Sequence, residues 1–94
     1  MAVVDSTKND VELEDPAPFW NYASDTTQYK LISKFIKIGN GAVRLPPDKI
    51  SLIAGLINIK TCADSNSDSL FEYFNKDLEV FNVIRDCVNR EGWL

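Results

Sequence analysis

Between Tyr29 and Ile38 the side chains repeat with the period of an α-helix, and no other local pattern limits the fold of this chain as strongly. At about 100° per residue, Leu31, Ile32, Phe35, Ile36 and Ile38 gather within half the circumference, while Lys30, Lys34 and Lys37 form a narrow stripe opposite. Paired as a strand, the same residues would mix apolar and charged groups on both faces. Asp25 or Thr26 can cap the helix start by accepting a hydrogen bond from a free first-turn amide. Gly39-Asn40-Gly41 can end it in left-handed conformations. The spacing therefore predicts a helix that buries one side and carries a basic ridge on the other.

Downstream, Ala42-Val43-Arg44-Leu45 reads as an extended link, because Pro46 keeps Leu45 out of the helical region. Pro47 and Asp48 suit the first turn of a second helix, with Ile50, Ile53, Leu56 and Ile57 facing inward and Leu52 and Ile59 at the flanks. Gly55 within it suggests a close approach by another backbone, as at a helix crossing. Thr61 to Ser67 has the composition of a loop, and Ser67 or Asp68 would cap a short third helix through Leu70, Phe71, Tyr73 and Phe74. A fourth helix starts near Asp77, with Leu78, Phe81, Ile84 and Val88 on a face joined by Val80 and Cys87, and with Asp86 and Arg90 outside. Gly92 closes it, and Trp93 and Leu94 fold back onto the core. The expected fold is mainly α, a bundle of about four short helices over residues 25–94.

The alternative is an α+β fold with a β-hairpin at residues 35–45, turning at Gly39-Asn40-Gly41 between two short apolar runs. In that form Ile38 to Pro46 resembles the DNA-binding arm of the AbrB/MazE antitoxin family, in which a GNS-like turn leads to an apolar-Arg-apolar-Pro run. The resemblance covers about a tenth of the chain. Residues 61–94 lack the later strands with which that family completes its barrel, so its function is not carried over.

Ahead of the helices, residues 1–16 are polar and acidic without apolar periodicity, and read as a flexible tail. Residues 17–24 form an aromatic strap or docking segment, with Phe19, Trp20 and Tyr22 following Pro16 and Pro18. The whole is 94 residues, enough for one domain. Its net charge of −4 is unevenly spread. Lys8 stands alone against Asp5, Asp10, Glu12, Glu14, Asp15 and Asp25, six basic residues face only Asp48 over residues 28–60, and residues 61–94 are acidic again. A basic middle between acidic ends can meet an acidic partner or be covered by its own tail.

Histidine is absent, which removes the side chain that titrates nearest neutrality and the commonest nitrogen ligand for zinc. Glu12/Glu14 lie in the tail and Glu72/Asp77 on an expected surface, so neither carboxylate pair suggests acid–base catalysis. Asp64 to Asp68 lacks the central glycine and closing glutamate of a calcium loop and reads as a solvated loop. No catalytic residues, metal or cofactor are expected, and the protein is read as a non-enzyme. Cys62 and Cys87 have no CxxC spacing, and no run of about 18 apolar residues is present. Two reduced thiols in a cytoplasmic protein that does not enter membranes are the expectation.

What remains is binding. The basic surface of Lys30, Lys34, Lys37, Arg44 and Lys49, with Lys60 nearby, and the aromatic Phe19, Trp20 and Tyr22 are the candidate partner-binding residues. They suggest a small regulatory, adaptor or inhibitor protein that occupies the surface of a protein partner, itself acidic; a host-targeting protein of a virus or phage would fit. The alternatives are a nucleic-acid-binding regulator using residues 30–49, and a subunit of a homo-oligomeric assembly such as a homodimer joined through an exposed apolar edge.

Overall fold

The computed structural model describes the backbone of residues 11–39, 41–73 and 78–94, and the side chains of these except 67–73. The chain forms a small helical bundle: a 3₁₀ helix Ala17–Tyr22, then α1 (Asp25–Ile38), α2 (Lys49–Tyr73) and α3 (Val80–Arg90). Ser24 caps α1, its hydroxyl accepting from the Thr27 amide at 3.3 Å, one residue ahead of the caps expected from sequence. Leu31, Ile32 and Phe35 are buried, whereas Ile38 at the last turn is 68 % exposed and leaves the expected inner face. Since α1 takes up Phe35 to Ile38, the hairpin at residues 35–45 does not form.

Four helices are described, but one of them is the 3₁₀ helix in the segment expected as a strap, and residues 25–94 hold the other three. α2 runs without a break through residues 61–67, where a loop was expected, so the second and third short helices are one helix of 25 residues. Polar composition suggested a loop there, yet Cys62, Ala63 and Asp64 all meet neighbouring elements, and such contacts override weak local preference. The packing expected of Leu70, Phe71, Tyr73 and Phe74 lies outside the described side chains.

α2 is also rotated relative to expectation. Ile59 and Ala63 are fully buried, Leu52 and Leu56 are half-buried, and Gly55 lies under the indole of Trp93. A Cβ at position 55 would overlap that ring, so the missing side chain makes room for an aromatic group rather than for another backbone. Trp93 reaches this place because Gly92 takes a φ of +87° and turns the chain back, the Trp93 amide bonding Val88 O at 3.1 Å. The Arg44 amide then donates to Trp93 O at 2.6 Å, holding the link before α2 against the C-terminus. The C-terminal fold-back is therefore as expected for Trp93, while Leu94 remains 44 % exposed.

Residues 11–16 belong to the core region and not to a flexible tail. Val11 and Leu13 are 3 % and 6 % exposed, and the carbonyls of Leu13 and Asp15 accept from the Phe81 and Val80 amides at 2.9 and 2.8 Å. A helix leaves its first amides without internal partners, and this segment supplies partners for two of those of α3. The rest of the expected tail, residues 1–10, lies outside the described residues.

The two cysteines form a disulfide joining α2 to α3, with Cα atoms 5.8 Å apart across 25 residues of sequence. The expectation of reduced thiols is thus corrected: Cys62 lies one turn from Ile59 on the inner side of α2, opposite the buried Cys87 of α3. With the thiols paired, the cysteines no longer point to a reducing cytoplasm. No described helix is long and apolar enough to cross a membrane.

Candidate functional site

The face of α2 turned away from the core is apolar. Ile50, Ile53 and Ile57 are 82 %, 48 % and 50 % exposed, and Ala54 between them is exposed as well. At the helical repeat these four fall within about 100° of arc, opposite Leu52, Gly55, Ile59 and Ala63. Sequence reasoning placed Ile50, Ile53 and Ile57 inside and so missed them as surface residues. The signal was present: residues 50–59 contain no charged side chain, and their apolar residues fall on two opposite faces, more than one buried stripe requires.

Asp48 Oδ2 accepts from the Ser51 amide at 2.8 Å and so fixes the start of this helix. The backbone hydrogen bond from Ser51, followed by one from its side chain, holds the Asp48 carboxyl below its usual pKa. One flank of the apolar face carries Lys49, which is exposed, and Lys60, which is drawn into an ion cluster. Lys60 Nζ lies 3.1 Å from Asp64 Oδ2 and 3.4 Å from Asp25 Oδ1. Burial alone would lower the Lys60 pKa, but the hydrogen bond and charge of Asp64, together with Asp25, outweigh it and raise the value. Asp64 also accepts from Trp20 Nε1 at 2.7 Å, so the cluster joins the 3₁₀ helix, α1 and α2.

The basic residues singled out from sequence occupy different settings. Lys30, Lys34 and Lys37 are exposed along α1, Arg44 is exposed in the link, and Lys49 is exposed at the start of α2. Lys34 pairs with Glu12 at 3.1 Å, so one member of the ridge is met by the chain's own acidic segment. Among the aromatics, Trp20 is fully buried and serves the core. Phe19 is half-buried, and Tyr22, 49 % exposed, stands edge-on to it with ring centroids 6.0 Å apart.

A cleft of about 400 Å³ opens between the N-terminal segment, α1 and α3. Leu13, Ile38 and Phe81 supply its apolar lining, and Glu12, Glu14 and Glu79 outnumber Lys34 among its charged residues. Among the described residues no group of three or more histidine, cysteine or carboxylate side chains is arranged to hold a metal ion. The α2 face is the largest discrepancy between what the sequence would bury and what the fold leaves in water. No family model, curated protein or solved structure matches the chain.

Proposed function

We propose that this protein is a small non-enzymatic regulatory or adaptor protein that acts by binding another protein, and that the outward face of α2 is its contact surface. The observation that carries the reading is the exposure of Ile50, Ile53 and Ile57 on a helix whose opposite side already fills the core. Burying apolar surface at roughly 25 cal/mol per Å² is the main favourable term in protein association, and a rigid helix presents it with little loss of conformational freedom. The helix is rigid because Asp48 caps it, Trp93 covers Gly55 and the disulfide ties it to α3. The pairing of Lys34 with Glu12 weighs against nucleic acid as the ligand, since a phosphate backbone would have to displace a carboxylate already in place.

The test is affinity capture with the full chain in three forms: wild type, Ile53→Glu and Lys30→Glu/Lys34→Glu/Lys37→Glu. A protein partner retained by the wild type and lost by Ile53→Glu, with an unchanged circular dichroism spectrum, supports the α2 face. Loss confined to the triple lysine variant would move the site to α1, and low-salt binding of a generic DNA duplex would replace the reading with the nucleic-acid one.

A further inference from the structure

The exposed face of α2 has an internal symmetry. Ile50, Ile53, Ala54 and Ile57 are spaced so that reversing the helix about a point between Ile53 and Ala54 maps the set of positions onto itself: 50 exchanges with 57, and 53 with 54. A twofold symmetric dimer needs a patch that is complementary to its own copy, since the same surface serves both sides. An i, i+3, i+4, i+7 patch is also the natural contact area of one helix on another, and the small Ala54 at its centre lets a second helix approach closely. Resting on the reading of this face as a protein-binding surface, we propose that its occupant is a second copy of this chain, with the two α2 helices packed antiparallel about a twofold axis beside Ile53 and Ala54.

Charge favours the same arrangement. In an antiparallel pair related by a twofold axis, like flanks of the two helices lie on the same side, so Lys49 of one copy comes within a turn of the level of Lys60 of the other. Lys60 is not a free positive charge there: two carboxylates, Asp64 and Asp25, surround its single ammonium, and the Asp25 side chain is 83 % exposed. The cluster carries one surplus negative charge, and the incoming Lys49 balances it twice per dimer. A parallel pair would instead carry the two Lys49 residues at one level on opposite flanks, far from the Lys60 cluster of the other copy, and place the positive ends of the two helix dipoles side by side. Residues 50–59 hold no charge that pairing would strand in an apolar contact.

The patch is small beside the roughly 800 Å² per partner of a standard stable interface, so the expected dimer is weak and reversible, forming at about 100 μM. Sedimentation equilibrium of the full chain from about 10 to 500 μM, under non-reducing conditions, reads this directly. The wild type is expected to shift from monomer to dimer across the series. Ile53→Glu is expected to weaken association at least tenfold while leaving the thermal midpoint of the dilute protein unchanged, because the side chain faces water in the single chain. Orientation is read from charge pairs. Ile50→Glu alone disrupts the dimer, and Ile50→Glu/Ile57→Lys restores it, because the carboxylate introduced at position 50 meets the ammonium introduced at position 57 of the other copy only when the helices run antiparallel. A wild type that stays monomeric at the top of the series, or a double variant no better than Ile50→Glu, overturns the proposal. If the monomer still captures a different protein through Ile53, the binding surface stands and only its occupant is wrong; if it captures none, both fall.

Discussion

α2 and α3 share a disulfide and a common core, yet they represent opposite ways of using a helix. α3 is one-sided: Val80, Val83, Ile84, Cys87 and Val88 are buried, while Arg85, Asn89 and Arg90 face water. Packing against the core accounts for every large apolar residue on its described face. The first half of α2 is two-sided, with Leu52, Gly55, Leu56 and Ile59 toward the core and Ile50, Ile53 and Ile57 away from it. Contiguous apolar side chains that the described fold leaves in water mark a candidate contact surface, and this difference makes the outer face of α2, rather than α3, the place to test for binding.

The comparison is broken most directly by truncating one isoleucine from each helix. Ile84→Ala in α3 removes a fully buried side chain and is expected to lower stability by about 3 kcal/mol. Ile50→Ala in α2, where the side chain is 82 % exposed, is expected to change it by less than about 0.5 kcal/mol. Urea denaturation of dilute protein measures both. Equal losses would mean that the outer face of α2 is covered within the monomer, and the binding argument would have no basis.

The disulfide sharpens the comparison, because it ties the two helices covalently. Closing 25 residues of chain stabilises a fold by about 3 kcal/mol in the chain-entropy model, so Cys62→Ala/Cys87→Ala is expected to lose an amount of that order. The loss should be read as a lower urea midpoint with the helical spectrum retained, since Ile59, Ala63, Ile84 and Val88 still bring the helices together. Alkylation in denaturant before any reduction, followed by mass measurement, provides the decisive check: two modified cysteines would remove the bond and this expectation with it.

Periodicity made α1 and α3 legible in the sequence, because each has a single apolar stripe and thus a single way to face a core. α2 was not legible in the same way. With apolar residues on both sides, its inner face is chosen by long-range partners that leave no local mark: the Trp93 indole over Gly55 and the pairing of Cys62 with Cys87. The stretch from Thr61 to Ser67 looked like a loop because of its polar residues, among them Asp64 and Asn66, whose partners lie far along the chain. Asp64 accepts from Trp20, and Asn66 donates to Asp86 at 2.7 Å. The order of Val11 and Leu13 was hidden for a related reason. Two buried side chains separated by an exposed glutamate are too short a pattern to signal structure, and the α3 amides that hold them belong to the other end of the chain. The basic residues of the candidate surface could be read from sequence, whereas the outward turn of Ile50, Ile53 and Ile57 required the rotation of α2.

The smallest expected effect concerns where the two-sided helix begins. Asp48 caps α2 more strongly as a carboxylate, since protonation weakens it as an acceptor for the Ser51 amide. Its pKa is lowered in the folded chain by that same hydrogen bond, so its contribution to stability is complete above the ordinary carboxylate value near 4 and is lost as pH falls through the lowered one. The Ser51 amide proton should follow this titration by NMR, its chemical shift moving in acid with a midpoint below about 4. In Asp48→Asn, which keeps an acceptor oxygen but cannot titrate, the same resonance should stay flat. Fraying of this turn would release Ile50, two residues inside the helix, from the face it shares with Ile53 and Ile57, so acid should weaken association through α2 before it weakens the α3 core. A Ser51 resonance that ignores acid in the wild type would sever the cap from the face it is argued to hold in place.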